Sequence, residues 1–231
     1  MLARDHVACG ETGKGSGNFE YPGPQTVVER LILLKLDQIQ GICLRGGYPT
    51  SYTANLVLLY AVPPNGLAFT WWPDRWNCKA EITNSVIMGP YSKAPVIFRN
   101  CLFCGPTSLD IDYPTVFESC TIATDLLLQY SNHTVANCLV RNLTIVPNSS
   151  GHTVHHCVTF GEGRPPPEAK DSFFANPMFR DPANLDYRLM PGSPCIGKAS
   201  DGGDLGCRYT PEMIELISVA LELRRRGIIK F

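Results

Sequence analysis

Two aspartates stand two apart in "LDIDY", Asp110 and Asp112, a spacing that puts both carboxylates on one face of a strand. Such a pair can hydrolyse a glycosidic bond, one carboxyl acting as acid and the other as base, although two solvated strand polars are the plainer reading. Histidines gather further on: His152, His155 and His156 lie close together, and His133 falls one repeat before His152. Imidazoles in one column can bind a metal, switch with pH, or form a stacked polar ladder at a bend, the ordinary reading. The segment "TWWPDRW" holds all three tryptophans, Trp71, Trp72 and Trp76, together with Arg75. On a strand Trp71 and Trp72 face opposite sides, so one of them is placed to stack on a sugar ring or anchor a protein partner, unless both pack in the core or at an end. No Gly-rich phosphate loop, nucleophile elbow or Ser-His-Asp pattern appears.

Ten cysteines raise disulfide and metal chemistry as well. Only Cys101 and Cys104 form a close pair, whereas a structural zinc site usually needs two such pairs or a pair of histidines beside one, so no metal and no cofactor are expected. The opening "MLARDHVACGETGKGSG" has no apolar core and does not read as a signal peptide. A chain made in the cytoplasm keeps its thiols reduced, and a free cysteine then behaves as a small buried hydrophobe. With 231 residues, 44% hydrophobic, and a formal net charge of −1, the chain can bury a full core and has no electrostatic bias toward nucleic acid. Its longest apolar segments are strand-sized, which argues against membrane insertion.

What must position these residues is a repeat. Ser85, Cys101, Cys120, Cys138 and Cys157 recur at steps of 16 to 19 residues. One residue earlier stand Asn84, Asn100, Ser119, Asn137 and His156; three earlier stand Ile82, Phe98, Phe117, Val135 and Val154. Each column keeps one chemical character, as stacked units do. Units of this length, rich in β-branched residues, bury a continuous core only when stacked as coils of parallel strands. The cysteines are then compact interior residues, Cys101, Cys120, Cys138 and Cys157 forming a packing ladder. The polar residue before each marks a bend, where an Asn can take a left-handed conformation and bond to the Asn of the next coil, with Asn84, Asn100 and Asn137 as candidates.

The "I-x-N-C-x-I/F" unit resembles the repeats of right-handed parallel β-helix proteins, the pectate-lyase-like superfamily. The segment Ser172 to Tyr209, with Asn176-Pro177-x-Phe179, Asp186-Tyr187-Arg188-Leu189, Ser193-Pro194 and Gly203-Asp204-x-Gly206, is similar to the segment that ends many such chains. The resemblance covers about residues 80 to 209. It implies an all-β fold, a short right-handed parallel β-helix, and leaves function open among lyases, hydrolases, adhesins and viral appendages. The further Asp and His motifs of the hydrolases, and the calcium-binding acidic clusters of the lyases, have no counterpart that can be placed here.

The chain divides into an extended N-terminal arm over 1–25, a β-helix over 26–209 with regular rungs about 80–165 and a closing segment 172–209, and a C-terminal helix with a tail over 210–231. Thr210 can cap that helix, Pro211 and Glu212 suit its first turn, and Arg224, Arg225 and Arg226 suit its negative end. It is expected over an open end of the coil. The arm is Gly-rich and poor in apolar groups, so it is ordered only where it lies on something, its own domain or a neighbouring chain. The resulting expectation is a non-catalytic structural or interaction protein, a virion surface or decoration subunit or a host-attachment appendage. It would associate through the arm with copies of itself, in threes, or with other structural proteins. A carbohydrate-active enzyme using Asp110 and Asp112, and a glycan-binding module using Trp71, Trp72, Arg75 and Trp76, are the alternatives.

Overall fold

The computed structural model describes residues 2–10, 25–35, 42–44, 51–61, 69–71, 79–88, 91–93, 96–105, 109–111, 114–130 and 132–231. They form a parallel β-solenoid with three strand-bearing faces and one helix. On the first face Lys79–Thr83, Val96–Arg99, Val116–Glu118, Thr134–Ala136 and Thr153–His155 stack in parallel register. The first halves of Ser51–Ala61, Gln25–Lys35 and Leu2–Gly10 continue that stack. Residues 2–10 of the expected arm are therefore laid on the solenoid's own strand, Leu2 opposite Val27 and Gly10 opposite Lys35. On the second face, Val86–Met88, Leu102–Phe103, 121–122, 139–140, Val158–Thr159 and Phe173–Phe174 follow the second halves of the three long strands. The third face stacks Ile42–Leu44, Phe69–Trp71, Tyr91–Lys93, Leu109–Ile111, 125–128 and 142–145.

A single left-handed residue makes the corner between the first two faces. Arg30, Leu56, Asn84, Asn100, Ser119, Asn137, His156 and Asp171 all have φ between 48° and 58°. Asn and Asp tolerate this region best, which explains the polar column of the regular rungs. Asn84 Nδ2 donates to Asn55 Oδ1 (2.9 Å) and Asn100 Nδ2 to Asn84 Oδ1 (2.7 Å). Asn137 is cut off from this ladder by Ser119 and instead accepts from Ser200 N (2.8 Å), pinning the closing segment.

The residue after each corner points inward, and here the cysteines lie. Cys101, Cys120, Cys138 and Cys157 are fully buried and unbridged. Their column does more than pack. Cys138 Sγ donates to Ala136 O (3.0 Å) and accepts from Cys120 N (3.4 Å) on the preceding rung. Ser85 and Ser172 stand at the two ends of the column and do the same work, accepting from Val57 N and Cys157 N at 3.0 Å. A sharp corner turns one backbone N–H into the tube, and a buried N–H needs an acceptor; a small side chain carrying S or O supplies it. Around this column Phe98 stacks on Phe117 and meets Phe103 edge-on, with centroids 5.4 and 5.0 Å apart.

The second face is apolar on both sides. Leu59, Ile87 and Phe103 face the interior, whereas Leu58, Tyr60, Val86, Met88, Leu102 and Cys104 face outward and pack against Met213, Leu216, Ile217 and Ala220 of the helix Pro211–Arg225. Further along, Leu139 and Val158 are covered by Cys195, Ala199 and Leu205 of the closing segment. The chain after Phe174 thus returns as a strap along this flank, from the last rungs to the first. Tyr60 Oη accepts from Lys230 N (3.1 Å) at its far end. The helix therefore covers a side of the solenoid, where the sequence placed it over an open end. The reason is the unbroken apolar runs of the second face, which require cover on both sides.

Close approach of the strap depends on Gly206, with φ 84°, where a Cβ would lie 2.7 Å from Thr121 Oγ1 and 2.8 Å from Leu139 Cδ1. Thr210 caps the helix, accepting from Met213 N (3.2 Å). The basic run is engaged locally. Arg224 donates to Ala183 O and Asn184 Oδ1, both at 2.7 Å, while Arg225 and Arg226 pair with Glu222 at 2.7 Å. Among the described residues no helix is long and apolar enough to cross a membrane.

Candidate functional site

Asp110 lies in Leu109–Ile111, in register with Tyr91 and Leu127. Trp71 ends Phe69–Trp71 opposite Leu44. Asp112, Trp72, Arg75 and Trp76 lie outside the described residues. The candidates that can be followed in atomic detail are the cysteines, the histidines and the polar groups of the regular rungs.

Burial sets the chemistry of five of the thiols. Desolvation pushes Cys101, Cys138 and Cys207 well above the ordinary thiol range, Cys104 to about 12 and Cys195 to about 11. A thiol held protonated is neither a nucleophile nor a metal ligand. Among the described residues no three His, Cys, Asp or Glu side chains converge as a metal site.

The histidines form the stacked ladder. The rings of His133 and His152 lie 5.2 Å apart and within 10° of parallel. His133 is fully buried; its Nδ1 accepts from Thr115 N (3.2 Å) and its Nε2 meets Gln129 O (2.5 Å). A ring that accepts at Nδ1 and donates at Nε2 is the neutral Nε2–H tautomer. His152 repeats the pattern, Nδ1 accepting from His133 N at 3.4 Å, but its Nε2 is buried without a partner. Desolvation lowers the pKa of both; Gln129 O opposes this at His133 and Glu168 at His152. His155 and His156 instead share a hydrogen bond between their Nδ1 atoms (3.1 Å), with rings perpendicular.

Two polar clusters on the outer faces escape a reading by motif. On the first face Arg99 bridges Glu81 (2.9 Å) and Glu118, one charge from each neighbouring rung. On the third, Asp125 Oδ1 accepts from Asn142 Nδ2 (2.8 Å) and pairs with Arg141 (3.1 Å). Asn142 Oδ1 then accepts from Glu162 N (2.9 Å) and Gly163 N (3.0 Å), tying down the loop that finishes the solenoid. A Cβ on Gly161 would meet Asn142 Oδ1 at 2.5 Å, so the Gly-x-Gly spacing was the available signal. That loop runs through Pro165, Pro166 and Pro167 and brings Ala169 against the interior core. Beside it opens a cleft of ≈ 510 Å³, lined by Arg164, the prolines, Ser172, Phe173 and Phe174. Phe174 is 49% exposed there.

The polar side chains traced in the regular rungs thus serve corners, ladders and a loop anchor. The chain matches no protein-family model and no curated protein. The repeat and its packing therefore carry the reading, and the superfamily resemblance bears on fold alone.

Proposed function

We propose that this chain is a non-catalytic structural subunit that works by assembly, docking through its N-terminal segment onto a second copy or another structural protein; a virion surface is one such setting. The observation that carries the reading is the difference between the two ends. Leu2–Gly10 is paired along one side, with Gln25–Lys35, and among the described residues nothing pairs with its other edge. Such an edge accepts an added strand. The opposite end is finished: its last strand is the two-residue Phe173–Phe174, and the loop beside it carries three consecutive prolines, which have no N–H to offer.

Deleting residues 2–22 should leave the solenoid folded, because its later rungs are paired without them, and should abolish assembly, read by light scattering on the eluting protein. A truncated chain that unfolds, or that keeps the oligomeric state of the full chain, would sink the reading. A second reading, glycan binding, is favoured by the cleft, where the exposed Phe174 ring stands beside Arg164. Calorimetric titration with neutral and acidic oligosaccharides tests it, with Phe174→Ala expected to remove any binding.

A further inference from the structure

We propose that the stacked pair His133 and His152 is an acid-sensitive lock on the C-terminal rungs, opening them locally as the pH falls below about 6.5. The lock stands on hydrogen-bond polarity. Each ring offers an Nδ1 lone pair to a backbone N–H of the rung before it, Thr115 N for His133 and His133 N for His152. Protonation turns that acceptor into a donor aimed at another donor, so the contact cannot survive in the charged form. The two rings also face each other at 5.2 Å, and a charge on one disfavours a charge on its neighbour.

The surroundings set the direction. His133 has the Gln129 carbonyl, the Thr115 amide and the His152 ring around it, with no exposure to water. His152 has the His133 ring stacked on it, and Glu168, on the terminal loop, is the charge that acts on it. Glu168 favours the charged ring, but burial outweighs it and the net shift is downward. With both folded pKa values below the ordinary 6.5, the contribution to stability is complete above about pH 6.5. It is lost as the pH falls toward the folded values, because the opened state binds protons that the closed state refuses.

The affected rungs are those that hold the terminal loop. Thr134 N bonds to Thr115 O and Thr153 N to His133 O, so the histidine column and the sheet ladder share the same residues. Lys170 N bonds to Val154 O and His156 N to Lys170 O, which places the loop closure one step away. Opening the column frees the Pro-rich loop and the end of the core it covers.

Native-state amide hydrogen exchange on the full-length protein, corrected for intrinsic rates, tests this from pH 7.5 to 5. The opening constant read at Thr115 N and His133 N should rise as the pH falls below about 6.5, with a ceiling of about 100-fold per pH unit if both rings take up protons on opening. Val57 N, held by Ser85 on a distant rung, should not follow. The double variant His133→Asn/His152→Asn, which keeps an acceptor and cannot charge, should flatten the profile. If that variant does not fold, NMR titration of the wild-type imidazoles decides: both should protonate together with the opening. Exchange at Thr115 and His133 that is independent of pH, an equal rise at Val57, or imidazoles that titrate singly near 6.5 without opening would overturn the proposal.

Discussion

The cysteine column and the histidine column solve one problem with different chemistry. In both, a side chain accepts a hydrogen bond from an N–H of the rung before it: Cys138 Sγ from Cys120 N, His133 Nδ1 from Thr115 N. In the regular rungs the corner column is buried in the interior and takes small groups that carry an acceptor, Ser and Cys. The histidine column stands before the first face, beside the terminal loop, where a flat ring can stack on its neighbour. Burial pushes the Cys138 thiol up and keeps it neutral throughout the physiological range, whereas an imidazole changes charge within it. The difference teaches that a ladder's geometry sets which atoms must be present, and the occupant's titration decides whether the ladder responds to pH.

The comparison breaks most severely by exchanging the occupants. Cys138→His should destabilise by about 3 kcal/mol or more, because a ring overfills a site with no exposed surface and brings a polar group without partners. Chemical denaturation measures it. Cys138→Ala is smaller and more informative: it keeps the space nearly filled but leaves the Cys120 N–H without an acceptor, and about 1–3 kcal/mol should be lost. Cys138→Ser should cost about 1 kcal/mol or less, since Ser85 and Ser172 already occupy this column with the same two hydrogen bonds. Least of all, Arg99→Met on the outer face should change the thermal midpoint hardly at all, because half-exposed ion pairs are worth about 1 kcal/mol or less.

The solenoid was legible because its corner is strict. Few residue types tolerate the left-handed position well, and in the regular rungs a small acceptor follows it, so Asn-Cys recurs there. The earlier rungs escaped the pattern for the same physical reason in reverse. Arg30 and Leu56 hold the corner conformation against their own preference, and Leu31 and Val57 replace the acceptor. The helix was legible from its cap and periodicity, but its place was not. Its position follows from Leu58, Met88 and Leu102 facing outward, which runs such as "NLVLLYAV" contain without declaring a direction. Asn142 escaped because a loop anchor works through tertiary register, with Asp125 on the preceding rung and Glu162 N 20 residues later.

Amide exchange at Cys120 N tests most directly whether the cysteine column is a ladder of hydrogen-bond acceptors. In the wild type and in Cys138→Ser this N–H should be protected to nearly the same degree, and in Cys138→Ala its protection should fall by at least tenfold relative to Leu139 N, which bonds to backbone Cys120 O. Equal protection of Cys120 N in the Ser and Ala variants would show that the column only fills space, and would contradict the account.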